Sequence, residues 1–190
     1  MPKGRPLAIA LALLALGLLA GCGDSQTPAP DLTQVQSPAG AKPYINVDDG
    51  LRFAVPTNWA QQTGSPPEVV TLASGPAIVA VWRYARSQTL PAGAAALQHA
   101  RVALIRAAAA RDPAFRVIAS AVVDLRGIHG VELDAIETIR GQLRRVRSTH
   151  LYANGFELVF DEYAPESLFH AVDAAVFSPL LRSVGVGRVR

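Results

Sequence analysis

The sequence predicts an α+β domain, an antiparallel β-sheet with helices packed on it. Three observations carry that expectation. From residue 115 onward, apolar and polar residues alternate in successive stretches separated by glycine-bearing turns, the period of strands with one buried face. An alanine-rich stretch before them and an amphipathic stretch after them repeat apolar residues at three- and four-residue spacings, the period of a helix. Strands and helices fall in separate runs, which argues against a parallel, doubly wound sheet.

In chain order, residues 44–59 (YINVDDGLRFAVPTNW) hold two short apolar segments around Asp48-Asp49-Gly50, a hairpin signal. Ile45, Val47, Leu51, Phe53 and Val55 are the expected inward positions. Residues 68–73 and 76–85 (PAIVAVWRYA) read as two more strands, the second apolar on both faces and therefore central. Residues 90–111 form a predicted helix, with Pro91 in its first turn and Asp112-Pro113 as its stop. Leu97, Ala100, Leu104, Ile105 and Ala108 make its apolar stripe. A meander follows, with Phe115, Val117, Ala119, Ala121 and Val123, then Val131, Leu133 and Ala135, then Phe156, Leu158 and Phe160 expected inward. Its turns are expected at Arg126-Gly127, Gly141-Gln142 and Asn154-Gly155. A last helix starts near Pro165-Glu166, buries Phe169, Val172, Val176 and Leu180, and is expected to break at Ser178-Pro179.

The N-terminus is of another kind. Lys3 and Arg5 precede an uncharged apolar run from Leu7 to Leu19. Thirteen helical residues span only about 20 Å, short of the roughly 30 Å membrane core, so residues 1–21 read as a signal peptide. The tetrad Leu19-Ala20-Gly21-Cys22 resembles a bacterial lipobox. That resemblance implies a diacylglyceryl group on the Cys22 sulfur and cleavage before it, placing the protein in the cell envelope, membrane-anchored and extracytoplasmic. Residues 22–43, rich in Pro, Ser, Thr and Gln, cannot bury enough surface to offset their ordering entropy and read as a flexible tether. Residues 44–190 are the folded domain. Cys22 is the chain's one cysteine, so no disulfide, thiolate metal site or thiol nucleophile is available to that domain.

Removing residues 1–21 leaves 169 residues with 16 basic and 15 acidic side chains, which gives no electrostatic case for nucleic-acid binding. His99, His129, His150 and His170 have no metal-ligand spacing, so no metal or cofactor is expected. Glu132, Asp134 and Glu137 share one strand and Glu157, Asp161 and Glu162 the next but one. Glu132 and Asp134 oppose Val131 and Leu133, so they are expected on a solvated face. A hydrolase would need a histidine and a carboxylate converging on a serine such as Ser148 or Ser178, and no such geometry is expected. Arg140, Arg144, Arg145 and Arg147 crowd a predicted hairpin. There they suit anionic lipid headgroups, phosphorylated glycans or an acidic partner, or else pair across strands with Glu132, Asp134 or Glu137. Trp59, Trp82 and Tyr84 are candidates for a pocket, or for core.

Several of these stretches together carry a likeness: DGLRFAVPTNW (49–59), the alanine-rich helix, GIHGVELDA (127–135), RVRSTHLYANGFELVFDEYAP (145–165) and LFHAVDAAVFSPLLRSV (168–184). They resemble the superfamily of photosystem PsbP proteins, a Ran-binding nuclear import factor and LpqN-type bacterial lipoproteins, over about residues 44–187. The resemblance implies a PsbP-like α/β sandwich and no shared catalytic residue. The expected protein is a non-enzymatic envelope lipoprotein, a tethered module that binds an envelope protein, lipid or glycan. The alternative is a carrier of a lipid or small apolar ligand.

Overall fold

The structure is a computed structural model and describes residues 33–47 and 50–187. The expected signal peptide, Cys22, the first part of the expected tether and Asp48-Asp49 of the predicted turn lie outside the described residues. Strands β1 (Ala41–Asn46), β2 (Leu51–Pro56), β3 (Ala60–Thr63), β4 (Glu68–Ser74) and β5 (Ala77–Ala85) come first. Helix α1 (Gly93–Arg111) leads into the meander β6 (Arg116–Leu125), β7 (Ile128–Ile139), β8 (Gln142–Ala153) and β9 (Phe156–Ala164). Helix α2 (Glu166–Val172) passes through a π-helical turn (Asp173–Phe177) into α3 (Ser178–Ser183), and β10 (Gly185–Val186) follows. The strands make a seven-stranded antiparallel sheet, β3-β4-β5-β9-β8-β7-β6, and a three-stranded one, β1-β2-β10. The expected α+β class and the central place of β5 both hold.

The two faces of the large sheet are treated differently. On one face, Val79 and Val81 of β5, Leu151 of β8, and Leu158 and Phe160 of β9 are all at or below 3% exposure. They pack against Phe169, Val172, Val176, Phe177 and Leu180 of the C-terminal helices and against Leu51, Phe53 and Val55 of the small sheet. Phe53 meets Phe160 edge-on with ring centroids 5.6 Å apart, a favoured aromatic geometry. Each such side chain stabilises the fold by roughly 1.5–3 kcal/mol through burial. On the opposite face α1 lies over β6 and β7, where Leu97 packs on Val131 and Leu133, with Leu104 and Tyr152 beside them. The short α1 stripe reaches no further, so β5, β9 and half of β8 keep a face uncovered by any helix.

Several local expectations change. Ile45, in the edge strand β1, and Val47, just after it, are 63% and 80% exposed rather than inward. Helix α1 begins at Gly93 and leaves Pro91 in the loop before it. In β6 a bulge between Val117 and Ala119 shifts the register, so Ala119 and Ala121 turn outward while Ser120 and Val122 face α1. The middle meander turn is Arg140-Gly141, since Ile139 pairs with Gln142. Both turn residues have positive φ, as at Arg126-Gly127 and Asn154-Gly155, the backbone of two-residue primed turns. Pro179 does not break the last helix. The Ser178 N–H bonds the Asp173 carbonyl one residue further back than in an α-helix, and this widened turn takes up the proline. Strand β3 was not anticipated, because Ala60–Thr63 is exposed at every position and carries no apolar alternation.

Folded structure also begins before Tyr44. Residues 33–38 run as a strap along the domain: the Gln36 N–H donates to Ser74 Oγ at 2.8 Å, and the Trp59 indole N–H donates to the Gln36 carbonyl at 3.3 Å. Gly75, with φ +53°, has no Cβ to collide with the Gln34 carbonyl. These bonds place residues 33–43 with the compact unit rather than with a free tether.

Glu132 and Asp134 are not on a solvated face. The sheet side they share with Arg145 and Arg147 lies beneath α2 and the π-helical turn. Arg145 grips Asp134 with two hydrogen bonds of 2.9 and 2.7 Å. Arg147 holds Asp173 of the π-helical turn with two hydrogen bonds and stands 3.7 Å from Glu132. The guanidinium of Arg145 sits 4.8 Å from the Phe169 ring centroid and that of Arg147 5.8 Å, within cation–π range. Glu162, opposite Arg147 in β9, is fully buried, and neither carboxyl oxygen has a hydrogen-bond partner. Burial outweighs the pull of Arg147 and holds its pKa well above 4.5. The unfolded chain therefore loses this proton near pH 4.5 while the folded chain keeps it, and stability falls as pH rises above that value. Glu162→Gln should accordingly unfold at a higher denaturant concentration than the wild type at pH 7, with the difference vanishing by pH 4. Equal midpoints at both pH values would refute a protonated Glu162.

Candidate functional site

The uncovered face forms a trough. Its floor comes from alternate residues of three central strands: Ala80, Trp82 and Tyr84 of β5, Val159, Asp161 and Tyr163 of β9, and Val146, Ser148 and His150 of β8. Leu104 and Arg111 of α1 wall one side of a cavity of about 500 Å³, and Glu137 and Ile139 of β7 another. A second hollow of about 440 Å³ continues past Ala80, Trp82, Ile139 and Tyr163 to Glu68, Arg140 and Arg144. The hollow has a sequence origin. Ala80 sits directly opposite Asp161, and a methyl group between Ile78 and Trp82 leaves space that a larger side chain would fill.

A hydrogen-bond network runs along the floor. The Ser148 hydroxyl donates to Asp161 Oδ1 at 2.6 Å and lies 3.2 Å from His150 Nε2. His150 Nδ1 lies 2.7 Å from Glu157 Oε1, and Arg86 binds Glu157 Oε2. Burial, reinforced by the fields of Arg86 and Arg111, pushes His150 down to about 4. The ring is thus neutral at pH 7 and donates its Nδ1–H to Glu157. Burial raises the Asp161 pKa, partly offset by the Ser148 hydroxyl, Arg111 and the Trp82 indole N–H. Glu137 is raised by burial and then by the charge of Asp161.

Ser148, His150 and Glu157 therefore have the connectivity of a nucleophile, base and orienting acid, contrary to expectation. Three features weaken them as a hydrolytic set. Strand β8 is paired on both sides, with β7 and β9, so the backbone N–H groups around Ser148 are committed to the sheet rather than free to hold an oxyanion. The Ser148 proton has a closer acceptor in Asp161 than in His150. The depressed His150 is a poor base at neutral pH. Ser178 bonds Asp173 and Arg147 on the sealed face.

The other anticipated residues separate. Trp82 and Tyr84 line the trough, whereas Trp59 is 3% exposed and packs on Phe177 in the core. Arg140 and Arg144 reach the trough, and Arg144 bonds Gln142, but Arg145 and Arg147 are spent beneath α2. The four arginines are thus not one surface. Asp161, Tyr163, His150, Arg86 and Arg111 were not foreseen as site residues. Counting outward from the Asn154-Gly155 turn does pair Ser148 with Asp161 and His150 with Val159, which makes part of the network legible. Among the described residues, no group of three or more His, Cys, Asp or Glu side chains is placed to hold a metal ion. A separate apolar cleft of about 400 Å³ lies between the strap and Leu168, Ala171, Val172, Ala175 and Val176.

No protein-family profile and no curated protein sequence matches the chain. Solved structures do. The cyanobacterial PsbP protein CyanoP from Synechocystis aligns at 17% identity with a TM-score of 0.61, covering 90% of this chain and all of CyanoP. LpqN, described as involved in cell envelope biogenesis of Mycobacterium tuberculosis, aligns at 17% identity with a TM-score of 0.55, covering 78% of this chain and 91% of LpqN. Identities at this level speak for the fold alone. The sheet order, the sealed face and these two likenesses together show that the folded part of the chain has a PsbP-like fold.

Proposed function

We propose that the chain is a membrane-tethered envelope lipoprotein whose PsbP-like domain acts as a non-catalytic binding module, using the open face of its large sheet. The observation that carries this reading is the unequal cover of that sheet. One face is sealed by α2, α3 and the small sheet, and the other holds a trough lined by Trp82, Tyr84 and Tyr163 among polar side chains. Large concave sites with convergent polar groups are where proteins take ligands. The lipobox-like tetrad ending at Cys22 supplies the anchor in this reading, and two or more acyl chains hold a protein firmly at a bilayer. Among the described residues no helix is long and apolar enough to cross a membrane. LpqN, of similar fold, is described as involved in cell envelope biogenesis, which supports the same setting here. Tethering raises the local concentration of the domain and converts a weak contact into an effectively intramolecular one.

A second reading, carriage of an apolar ligand, is favoured by the cleft between the strap and α2. Native mass spectrometry of the detergent-extracted protein separates the two: a lipid mass that persists on the folded domain supports carriage, and its absence supports the binding module.

Two further outcomes are expected. Cys22→Ser should move the protein from the membrane fraction to the soluble fraction in its native cells, and continued membrane retention would sink the lipid anchor. A fluorophosphonate probe should leave Ser148 unlabelled. Stoichiometric labelling that is lost in His150→Ala would replace the binding module with a serine hydrolase.

A further inference from the structure

The centre of the trough holds two carboxyl groups that burial pushes towards the neutral form. Asp161 and Glu137 both line the cavity over Ala80, and among the described residues neither forms an ion pair. The field of Asp161 also reaches Glu137, Tyr84 and Tyr163. Arg86 is committed to Glu157. Arg111 is the cation whose field reaches both carboxyls, yet it closes on neither. Burying a carboxylate without a counter-ion is costly. A protein that needed only a stable sheet here would gain by placing an apolar side chain at residue 161, as it does at Val159 two residues earlier.

The walls agree with the floor. Trp82, Tyr84 and Tyr163 present aromatic rings to the same space, and ring faces attract cations. The Asp161 and Glu137 carboxyls, with the Ser148 oxygen, offer acceptors. These favour a cation that carries N–H donors over a fully alkylated one. A volume of about 500 Å³ suits a small organic molecule.

We infer that the trough binds a small primary amine, its ammonium group seated over Ala80 between the Asp161 and Glu137 carboxylates and walled by Trp82, Tyr84 and Tyr163. This deepens the open-face reading and rests on it. The amine supplies the counter-charge the floor lacks, and binding holds both carboxyls ionised.

The test uses the protein as extracted from its native cells in detergent micelles, with the indole N–H of Trp82 as reporter, assigned by Trp82→Phe. Trp82 lies on the floor beside Asp161, whereas Trp59 is buried on the far side of the sheet and serves as an internal control. Ethylammonium should shift the Trp82 signal saturably and leave Trp59 unmoved, and tetramethylammonium should bind more weakly. Asp161→Asn, which keeps an acceptor for Ser148, should weaken binding by at least about tenfold. Should that variant lose its dispersed spectrum, Glu137→Gln serves instead. Ethylammonium binding unchanged by either substitution overturns the proposal. A saturable response to inorganic phosphate but not to ethylammonium overturns the amine and leaves the open face as a binding surface, its arginines then being the recognition groups. A flat response to both overturns the amine and leaves the open face to a larger partner.

Discussion

The seating of Phe169 and Phe177 on the central strands is the constraint from which the rest of the domain follows. Both rings are at or below 1% exposure and meet at a centroid distance of 5.6 Å. They fix the C-terminal helices over one side of the sheet, and that position decides what every outward residue on the side must be. Near the middle of β9 the neighbours are Leu158 and Phe160, and burial is apolar. Towards β7 the same helices partly cover arginines and carboxylates, which find each other where less water reaches them. With that side closed, the polar residues of the opposite side are the ones that line the trough.

A partly buried ion-pair seam of this kind adds less to stability than its hydrogen-bond count implies. The desolvation of four or five charged groups offsets much of the attraction between them. What the seam does supply is position. Arg147 joins β8 to Asp173 of the π-helical turn, so the helix has one favoured rotation over the sheet, whereas apolar packing alone tolerates several. Glu162 lies beneath the seam as an uncharged acid, which spares Arg147 a further charge to balance.

Most of the strand and helix pattern was legible because it depends on period alone. Val131, Leu133 and Ala135 are buried as their alternation requires, and the amphipathic stripe of α1 packs as drawn. What period cannot tell is what lies across from a polar face. Glu132 and Asp134 alternate in the way a solvated face does, and only the arrival of a helix more than 30 residues later in the chain makes that face internal. Trp59 shows the same limit: an aromatic residue after a strand suits a pocket or a core equally, and its partner Phe177 is remote in sequence. In β6 the bulge broke a clean alternation, because Ile118 lies at an edge where one residue can slip outward without disturbing a second neighbour. The network of Ser148, His150 and Glu157 was half visible through the hairpin register, but its closure depends on side-chain rotamers that sequence does not show.

The strap of residues 33–38 has a mechanical consequence. Any pull delivered through the chain ahead of Thr33 arrives first at the bonds from Gln36 to Ser74 and Trp59, then at the Ala39 N–H bond to Asn58. Only afterwards does it reach β1. These contacts join the incoming chain to two different sheets, since Ser74 ends β4 and Asn58 follows β2. Load is therefore shared between sheets before any strand ladder bears it, and the clamp yields locally while the core stays whole. A domain built this way keeps the open face of its large sheet intact when its N-terminal side is pulled.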